Sequence, residues 1–458
     1  MLGRRERQEE LFISGSLESL IPEDHILKRV DRILKLDWLE EEVRDTYCEG
    51  KGRPGIAPEA ALRLMLAGFF LGLVQDRKLI REAQVNLAIR WFTGYRFDER
   101  LPDHSSLTRI RQRWGEELFE RLFQRTVKQC IEAGLVNGET VHVDSTLIRA
   151  DVSFASFARH HSRRVWEENQ DSGPKTSASD PEAFFATDSR KEPPRPSYKQ
   201  HTAVDDQKGI IVDVAVTTCQ VNEGNHLPEQ LQQIQATTGR SPQRITADSG
   251  YAHGHVLQRL EEAAIEPIIP PKPLAQHHKS IPIYRFKYDA KHLIVRCPQG
   301  KKLKRSYQDD TGWFYKSRTE DCRHCPLRTR CLSPTVGRRS IHIGHGYDAL
   351  LRARRKKGRW PSAWRKLYHR HRWQVEGIHG EAKTQHGLHR AVRRGRWNVS
   401  IQALLTAATI NLKRLAALAL FYFRLPGITG LLSHHMSPLV LIRTPQTQDS
   451  KLKLALAV

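Results

Sequence analysis

The chain has no apolar leader, no apolar run long enough to cross a bilayer, few cysteines for its length and far fewer acids than bases. Its best early apolar run, Leu64 to Val74, falls short of the roughly 20 residues a spanning helix needs. The segment from Ala403 to Phe423 is longer, but Asn411, Lys413 and Arg414 interrupt it, so it reads as a buried amphipathic helix. The opening MLGRRERQEELFISG lacks the apolar centre of a secretory signal. Seven cysteines in 458 residues do not make a disulfide scaffold. These absences predict a cytoplasmic protein with no membrane partner. No repeat period is evident.

What is present is a core-forming chain with a strong positive field. Hydrophobic residues make up 39%, enough to exclude wholesale disorder, and the length suits two or three domains. Lys and Arg number 74 against 51 acids, a net +23, which favours a polyanionic partner. The charge is clustered. Between Leu351 and Arg396 there are fifteen Lys or Arg and two acids, Glu376 and Glu381.

Residues 16–135 read as helical. Pro58 opens a helix with Leu62, Met65, Leu66, Phe69, Phe70 and Leu73 at helical spacing. A second helix is expected over Arg77 to Phe92. A third follows PDHSSL, with Ser105 or Ser106 as its cap and Leu107, Ile110, Trp114, Leu118 and Leu122 as its apolar stripe. Arg109, Arg111 and Arg113 fall mostly off that stripe. They are candidates for contacts to DNA phosphates, or simply a solvated face.

After Gly138 the pattern changes. ETVHVDST has strand composition, and Arg163 to Ser197 is a polar insertion. YKQHTAV and GIIVDVAVTTC, separated by DDQK, predict a hairpin. Pro228 is expected to open a helix that ends near Gly239. RITAD is a further strand, followed by a helix from about His255 to Ala264 and the short strand EPIIP. Strand, hairpin, helix, strand, helix, strand is an α/β order.

Two aspartates share a context within it. Asp144 follows the alternating Val141 and Val143, and Asp248 closes RITAD. Ligands collect at the carboxyl ends of parallel strands. Two carboxylates there repel unless a cation lies between them, and Mg²⁺ prefers oxygen ligands. Capping a turn is the plainer role for either one alone. Far downstream, Arg372, Glu376 and Lys383 share one face of a helix of about 3.6 residues per turn. Glu381 lies about 140° round from Glu376. Glu376 suits either an i,i+4 pair with Arg372 or a metal-holding carboxylate flanked by phosphate-binding cations.

The series VDST…ADSGY…RWQVEGIHGEAK resembles the DDE transposases of bacterial insertion sequences, whose core is RNase H-like. In their helical signature a tyrosine, two residues, an arginine, three residues, the glutamate, six residues and a lysine follow one another. Arg372, Glu376 and Lys383 match that spacing, whereas position 369 is His and Tyr368 stands one residue early. PDHSSLTRIRQRWG resembles the amino-terminal domain of one branch of the family, and the likeness runs from about Pro22 to Leu415. It implies that Asp144, Asp248 and Glu376 bind two Mg²⁺, with Mn²⁺ as an alternative ion, and that Arg372 and Lys383 hold phosphate. It implies a nucleoid-associated enzyme. Its double-stranded DNA partners would be its element's terminal inverted repeats and a target, and it would act as at least a dimer. A DNA-binding descendant without strand transfer, or a metal-dependent nuclease, would share the same core.

Cys322 and Cys325 form a CxxC, with Cys331 downstream and Cys297 upstream. Four thiolates suit a structural Zn²⁺, with His324 as a substitute ligand. The branch resembled carries a similar group before its glutamate helix. Cys48, Cys130 and Cys219 read as buried small hydrophobes. Trp313, Phe314 and Tyr315 suit a small β-rich core. Trp360, Trp364, Trp373 and Trp397 suit packing against one side of helices, with a wedge into DNA as the alternative for one of them. The expected organisation is therefore a helical DNA-binding or dimerisation domain (1–135), an RNase H-like core (136–271) with a polar insertion (155–197), and a cysteine-bearing insertion (272–345). Completion of the core with the glutamate helix (346–425) and a tail (426–458) follow.

Overall fold

The computed structural model describes residues 15–48, 55–153, 155–156, 177, 179–187, 191–273 and 280–423. Most of the expected polar insertion and the whole expected tail lie outside the described residues. The chain divides into two units, Met1–Asn137 with Glu381–Val458, and Gly138–Gly380. Among the described residues no helix is long and apolar enough to cross a membrane.

The first unit contains helices and no strand among its described residues: α1 (Ile26–Asp31), α2 (Leu39–Val43), α3 (Pro58–Phe70), α4 (Asp76–Val85), α5 (Leu87–Thr93) and α6 (His104–Glu132). The single helix expected over Arg77 to Phe92 is two. Asn86 leaves helical geometry and accepts the Ile89 N–H at 3.1 Å, the role its short amide favours over helix interior. The stripe Leu107, Ile110, Trp114, Leu118 and Leu122 is buried as its spacing predicts. The helix carrying it turns at Gly115, whose φ of 74° suits glycine. Arg111 is no phosphate ligand. It is 2% exposed and donates two hydrogen bonds to Asp76, at 2.8 and 2.9 Å. Cys130 is buried as expected, but Cys48 is exposed, beyond the short turn Arg44–Thr46.

The second unit is mixed α/β. Its first sheet contains β1 (Thr140–Arg149), β2 (Phe184–Ala186), β3 (Arg195–Asp205), β4 (Ile211–Thr218), β5 (Arg244–Thr246) and β6 (Glu266–Ile268). The order is β4, β3, β1, β5, β6, with β2 on the start of β3. The β3–β4 hairpin is the one DDQK predicts. β1 runs antiparallel to β3 and parallel to β5. Val141, Val143, Val204, Ile245 and Ile268 are fully buried. Each such side chain is worth about 1.5–3 kcal/mol, and a one-residue slip would turn them all to the wrong face, so the register is strongly held.

Helices α7 (Glu223–Thr238) and α8 (Gly254–Glu262) pack on this sheet, α7 on β3 and β4 and α8 on β6. α7 starts five residues before Pro228. Asn222 caps it by accepting the Gly224 N–H at 3.0 Å, and Pro228 lies inside. A second sheet, β7 (Lys287–Asp289), β8 (Ile294–Arg296), β9 (Lys302–Asp309), β10 (Gly312–Lys316) and β11 (Ser340–Gly344), is antiparallel throughout. Its core is Phe286, Val295, Leu303, Tyr315, Ile341, Ile343 and Tyr347. Of the three adjacent aromatics only Tyr315 is fully inside. Trp313 lies half-buried against that core under the Arg305 guanidinium, and Phe314 stacks on Tyr307. Two short helices, α9 (Thr319–Arg323) and α10 (Arg328–Cys331), precede β11, and α11 (Tyr347–Lys357) and α12 (Ser362–His371) follow it.

Candidate active site

The two central strands each carry the chain to one aspartate. Thr140 pairs with Arg244, Val141 with Ile245 and His142 with Thr246. Asp144 and Asp248 each stand two residues beyond the last of these pairs, Asp248 already outside β5. Asp144 is not at the end of its strand, because β1 continues to Arg149 against β3. It stands where the pairing with β5 stops. Asp248 starts the 3₁₀ turn Ser249–Tyr251, and its Oδ1 accepts the Gly250 N–H at 2.7 Å.

Asp144 Oδ2 lies 3.7 Å from His379 Nδ1. Burial first, then the charges of Asp248, Glu223 and Glu376, push its carboxyl up to about 7 against the lowering effect of the Ser145 N–H. Burial and the Glu223 charge likewise raise Asp248, while Lys272 opposes them. Glu223, in the first turn of α7, accepts the Ser145 hydroxyl at 2.6 Å and lies 3.7 Å from Lys199 Nζ. It was not foreseen, because Pro228 marked a later helix start. The Asn222 cap was the signal available.

Glu376 arrives on a helix keyed to those strands. His371 Nδ1 hydrogen-bonds Thr246 Oγ1 at 2.9 Å, and Thr246 Oγ1 hydrogen-bonds His142 Nδ1 at 2.6 Å. His142 Nε2 lies 2.9 Å from Asp206 Oδ1, and Oδ2 of the same carboxylate accepts from Arg370. Gln374 donates to the Asp206 carbonyl at 3.1 Å. Between α12 and α13 (Gly377–Gln385) the backbone makes a π turn, Arg372–Glu376. Such a turn takes one more residue than an α turn and recurs at functional sites. It departs from the uniform helix assumed in the face argument, and it takes up a one-residue offset. Burial, then the charges of Asp248, Glu376 and Asp144, raise the Tyr368 hydroxyl, and the Tyr368 ring stacks on His371.

Glu376 itself points outward. Its side chain is 60% exposed, and its Oε2 accepts from Arg372 Nε at 3.3 Å, the plain i,i+4 pair. Among the described residues no three His, Cys, Asp or Glu side chains are grouped closely enough to hold a metal ion. Lys383 lies on α13 in the other unit, as do Arg109 and Arg113, which are exposed on α6. Arg113 covers the Tyr47 ring at 4.6 Å. Glu381 is not a spare carboxylate. It binds Lys413 at 2.7 Å and Arg414 at 3.4 Å and lies 3.5 Å from His386. Of the four tryptophans, Trp360 is buried, Trp364 and Trp397 are half-buried, and Trp373, beside Arg372, is 61% exposed.

Cys297, Cys322, Cys325 and Cys331 line one pocket with Arg339 and Leu303. Burial raises the Cys331 thiol, Arg339 lowers it, and the other three cysteines raise it further. All four are free, and His324 is exposed and outside the pocket lining.

Residues 15–113 match a family model described as a transposase domain (DUF772), and residues 296–416 match one described as a transposase DDE domain. The second spans Glu376 but neither aspartate. No curated protein matches the sequence. A cryo-EM structure of the piggyBac transposase synaptic complex with hairpin DNA aligns at 10% identity, covering 89% of this chain and 81% of that one, with a TM-score of 0.30. The Mos1 transposase paired-end complex with left transposon end aligns at 10% identity over 50% of this chain and 65% of that one, with a TM-score of 0.17. Likeness at those scores carries no argument.

Proposed function

Since the chain is a DDE transposase, carrying a transposase domain and a DDE domain, we propose that Asp144, Asp248 and Glu376 are its catalytic acids in an RNase H-like core. The observation that supports this is the β1–β5 pairing, beyond whose last pair both aspartates follow by two residues, together with the His371–Thr246–His142 chain that docks the Glu376 helix on those two strands. The reaction is cleavage of phosphodiesters at the terminal inverted repeats and joining of the 3′ ends to target DNA.

The residues fit a pair of hard divalent cations. The donors are carboxylate oxygens, and burial, with the charges of Asp248, Glu223 and Glu376, raises the Asp144 carboxyl. Asp144, Asp248 and Glu376 would hold Mg²⁺, or Mn²⁺ in its place. Bound there, the metal polarises the phosphate and lowers the pKa of the attacking water or 3′-hydroxyl. For Glu376 to join, it must leave Arg372. That exposed pair is worth only about 0.2–0.5 kcal/mol, so its exchange is easy. The released Arg372 can then take a phosphate oxygen, as Lys383 does on the next helix. Tyr368, one residue before the tyrosine place of the signature, is the residue proposed for that role. Arg109 and Arg113 bind DNA phosphates.

The four pocket cysteines fit zinc by donor type. Their role is to hold the 272–345 module together. The helices of residues 1–135 form a DNA-binding or dimerisation domain, and the enzyme works as a homodimer or larger assembly on double-stranded DNA in the cytoplasm. Residues 136–271 form the core, and the segment that carries Glu376 completes it.

The test is Mg²⁺-dependent cleavage of the flanking inverted repeats. Asp144→Asn, Asp248→Asn and Glu376→Gln should each lower it about 10²–10⁴-fold, the range that several kcal/mol of metal-assisted stabilisation sets, with DNA binding retained. Full activity in any one of the three removes that residue from the mechanism.

A further inference from the structure

We infer that Glu223 is a fourth carboxylate of this site, and that Glu223 and Asp248 together form a two-carboxylate seat for one divalent cation over Gly250. The inference rests on the proposed metal-binding role of Asp248 and goes beyond it.

The geometry starts at Gly250. A Cβ at that position would stand 2.7 Å from Asp248 Oδ1 and 2.8 Å from Glu223 Oε2. Two oxygens from separate elements, the turn after β5 and the start of α7, thus converge on one face of Gly250. Glu223 is aimed there by its other oxygen, Oε1, which accepts the Ser145 hydroxyl at 2.6 Å and lies 3.7 Å from Lys199 Nζ. Oε2 remains on the Asp248 side. Ser145 follows Asp144 on β1, so the hydrogen bond ties the fourth carboxylate to the strand of the first.

A second observation is independent of the carboxylates themselves. Tyr251 is fully buried and its hydroxyl has no hydrogen-bond partner among the described residues. Burial raises that hydroxyl, and the charges of Asp144, Glu223 and Asp248 raise it further. A buried polar group without a partner costs about 1–3 kcal/mol, so an orphan hydroxyl beside three acids points to a bound species completing the cluster. Mg²⁺ is commonly held by one or two carboxylates, with waters and substrate phosphates in its other positions. Two oxygens over Gly250 match that habit, and a water on the ion would reach Tyr251. Such a seat needs no group of three protein ligands. It also divides the labour. Asp248 and Glu223 hold an ion on the strand side without DNA, and Glu376 joins when Arg372 releases it.

Mn²⁺ binding to the full chain without DNA, followed by the electron paramagnetic resonance of the free ion, tests this. Glu223→Gln and Asp248→Asn should each weaken binding at least tenfold with an unchanged melting temperature. If Asp248→Asn loses binding and Glu223→Gln keeps wild-type affinity, the inference is overturned while the role of Asp248 stands. If neither changes it, both fall. Should Glu223→Gln fail to fold, Glu223→Asp decides, because it keeps the charge and draws the carboxylate back from Asp248. A tenfold loss supports the inference, and wild-type affinity overturns it.

Discussion

Asp76 and Asp144 are both largely buried carboxylates, and their surroundings are opposite. Asp76, in the helical unit, has Arg111 on both its oxygens and Arg393 beside it. Burial alone would raise its pKa, and the two guanidinium groups override that and lower it. Asp144, in the sheet unit, is raised to about 7 by burial and by the charges of Asp248, Glu223 and Glu376. Glu381 repeats the first pattern with Lys413, Arg414 and His386. Within one chain, an acid whose charge is already matched by side chains serves the fold. An acid whose neighbours are other acids is suited to a charge brought from outside.

Unfolding experiments on the matched acids can break or sharpen that contrast. The largest effect is expected for Asp76→Ala, which leaves Arg111 and Arg393 buried without their counter-charge. Breaking a buried pair from one side costs about 3–5 kcal/mol, and denaturant unfolding at neutral pH should read a loss of that size. A loss below about 1 kcal/mol would show that the pair is not structural. Glu381→Gln comes next. Burial acts to raise this carboxyl, but hydrogen bonds from His386 and Lys413 and the charge of Arg414 bring it to about 2, from 4.5. A carboxylate depressed on folding stabilises fully above its unfolded value, and loses that stabilisation as pH falls through its folded value. The wild type should therefore shed on the order of 2–3 kcal/mol between pH 4.5 and 2, and the variant should lack that part of the profile. Identical profiles would refute the assignment. The smallest effect belongs to Arg372→Ala. Its pair with Glu376 is exposed, so stability should change by less than about 0.5 kcal/mol, while cleavage falls if the guanidinium serves phosphate. A large loss of stability would put that pair with the structural ones.

The sheet and its aspartates were legible because strand periodicity is local. Val141 and Val143 alternate with His142 and Asp144, and the hairpin is announced by DDQK. The stripe of α6 was legible for the same reason, at helical period. What escaped depends on partners distant in sequence. Arg111 looks like any off-stripe arginine until Asp76, thirty-five residues earlier, is brought against it. Glu223 was hidden by Pro228, which marks the start of many helices but lies inside this one. The π turn is invisible to a count that assumes about 3.6 residues per turn throughout, and the displaced Tyr368 was its only trace. Pairing Arg372 with Glu376 followed from spacing alone, and the ion pair is present.

The chain of contacts through Thr246 also has a direction. The Asp206 carboxylate accepts, so His142 meets it with Nε2–H and turns Nδ1 toward Thr246 as an acceptor. The threonine hydroxyl gives its one proton to that nitrogen and receives from Nδ1–H of His371. Burial, with His142 nearby, holds His371 at about 3, so at neutral pH its imidazole carries a single proton and that proton is committed. Each link thus dictates the tautomer of the next. A segment fastened by so ordered a proton sequence can swivel only by breaking several bonds together, which makes the strand, rather than the segment's own backbone, the reference for where its carboxylate stands.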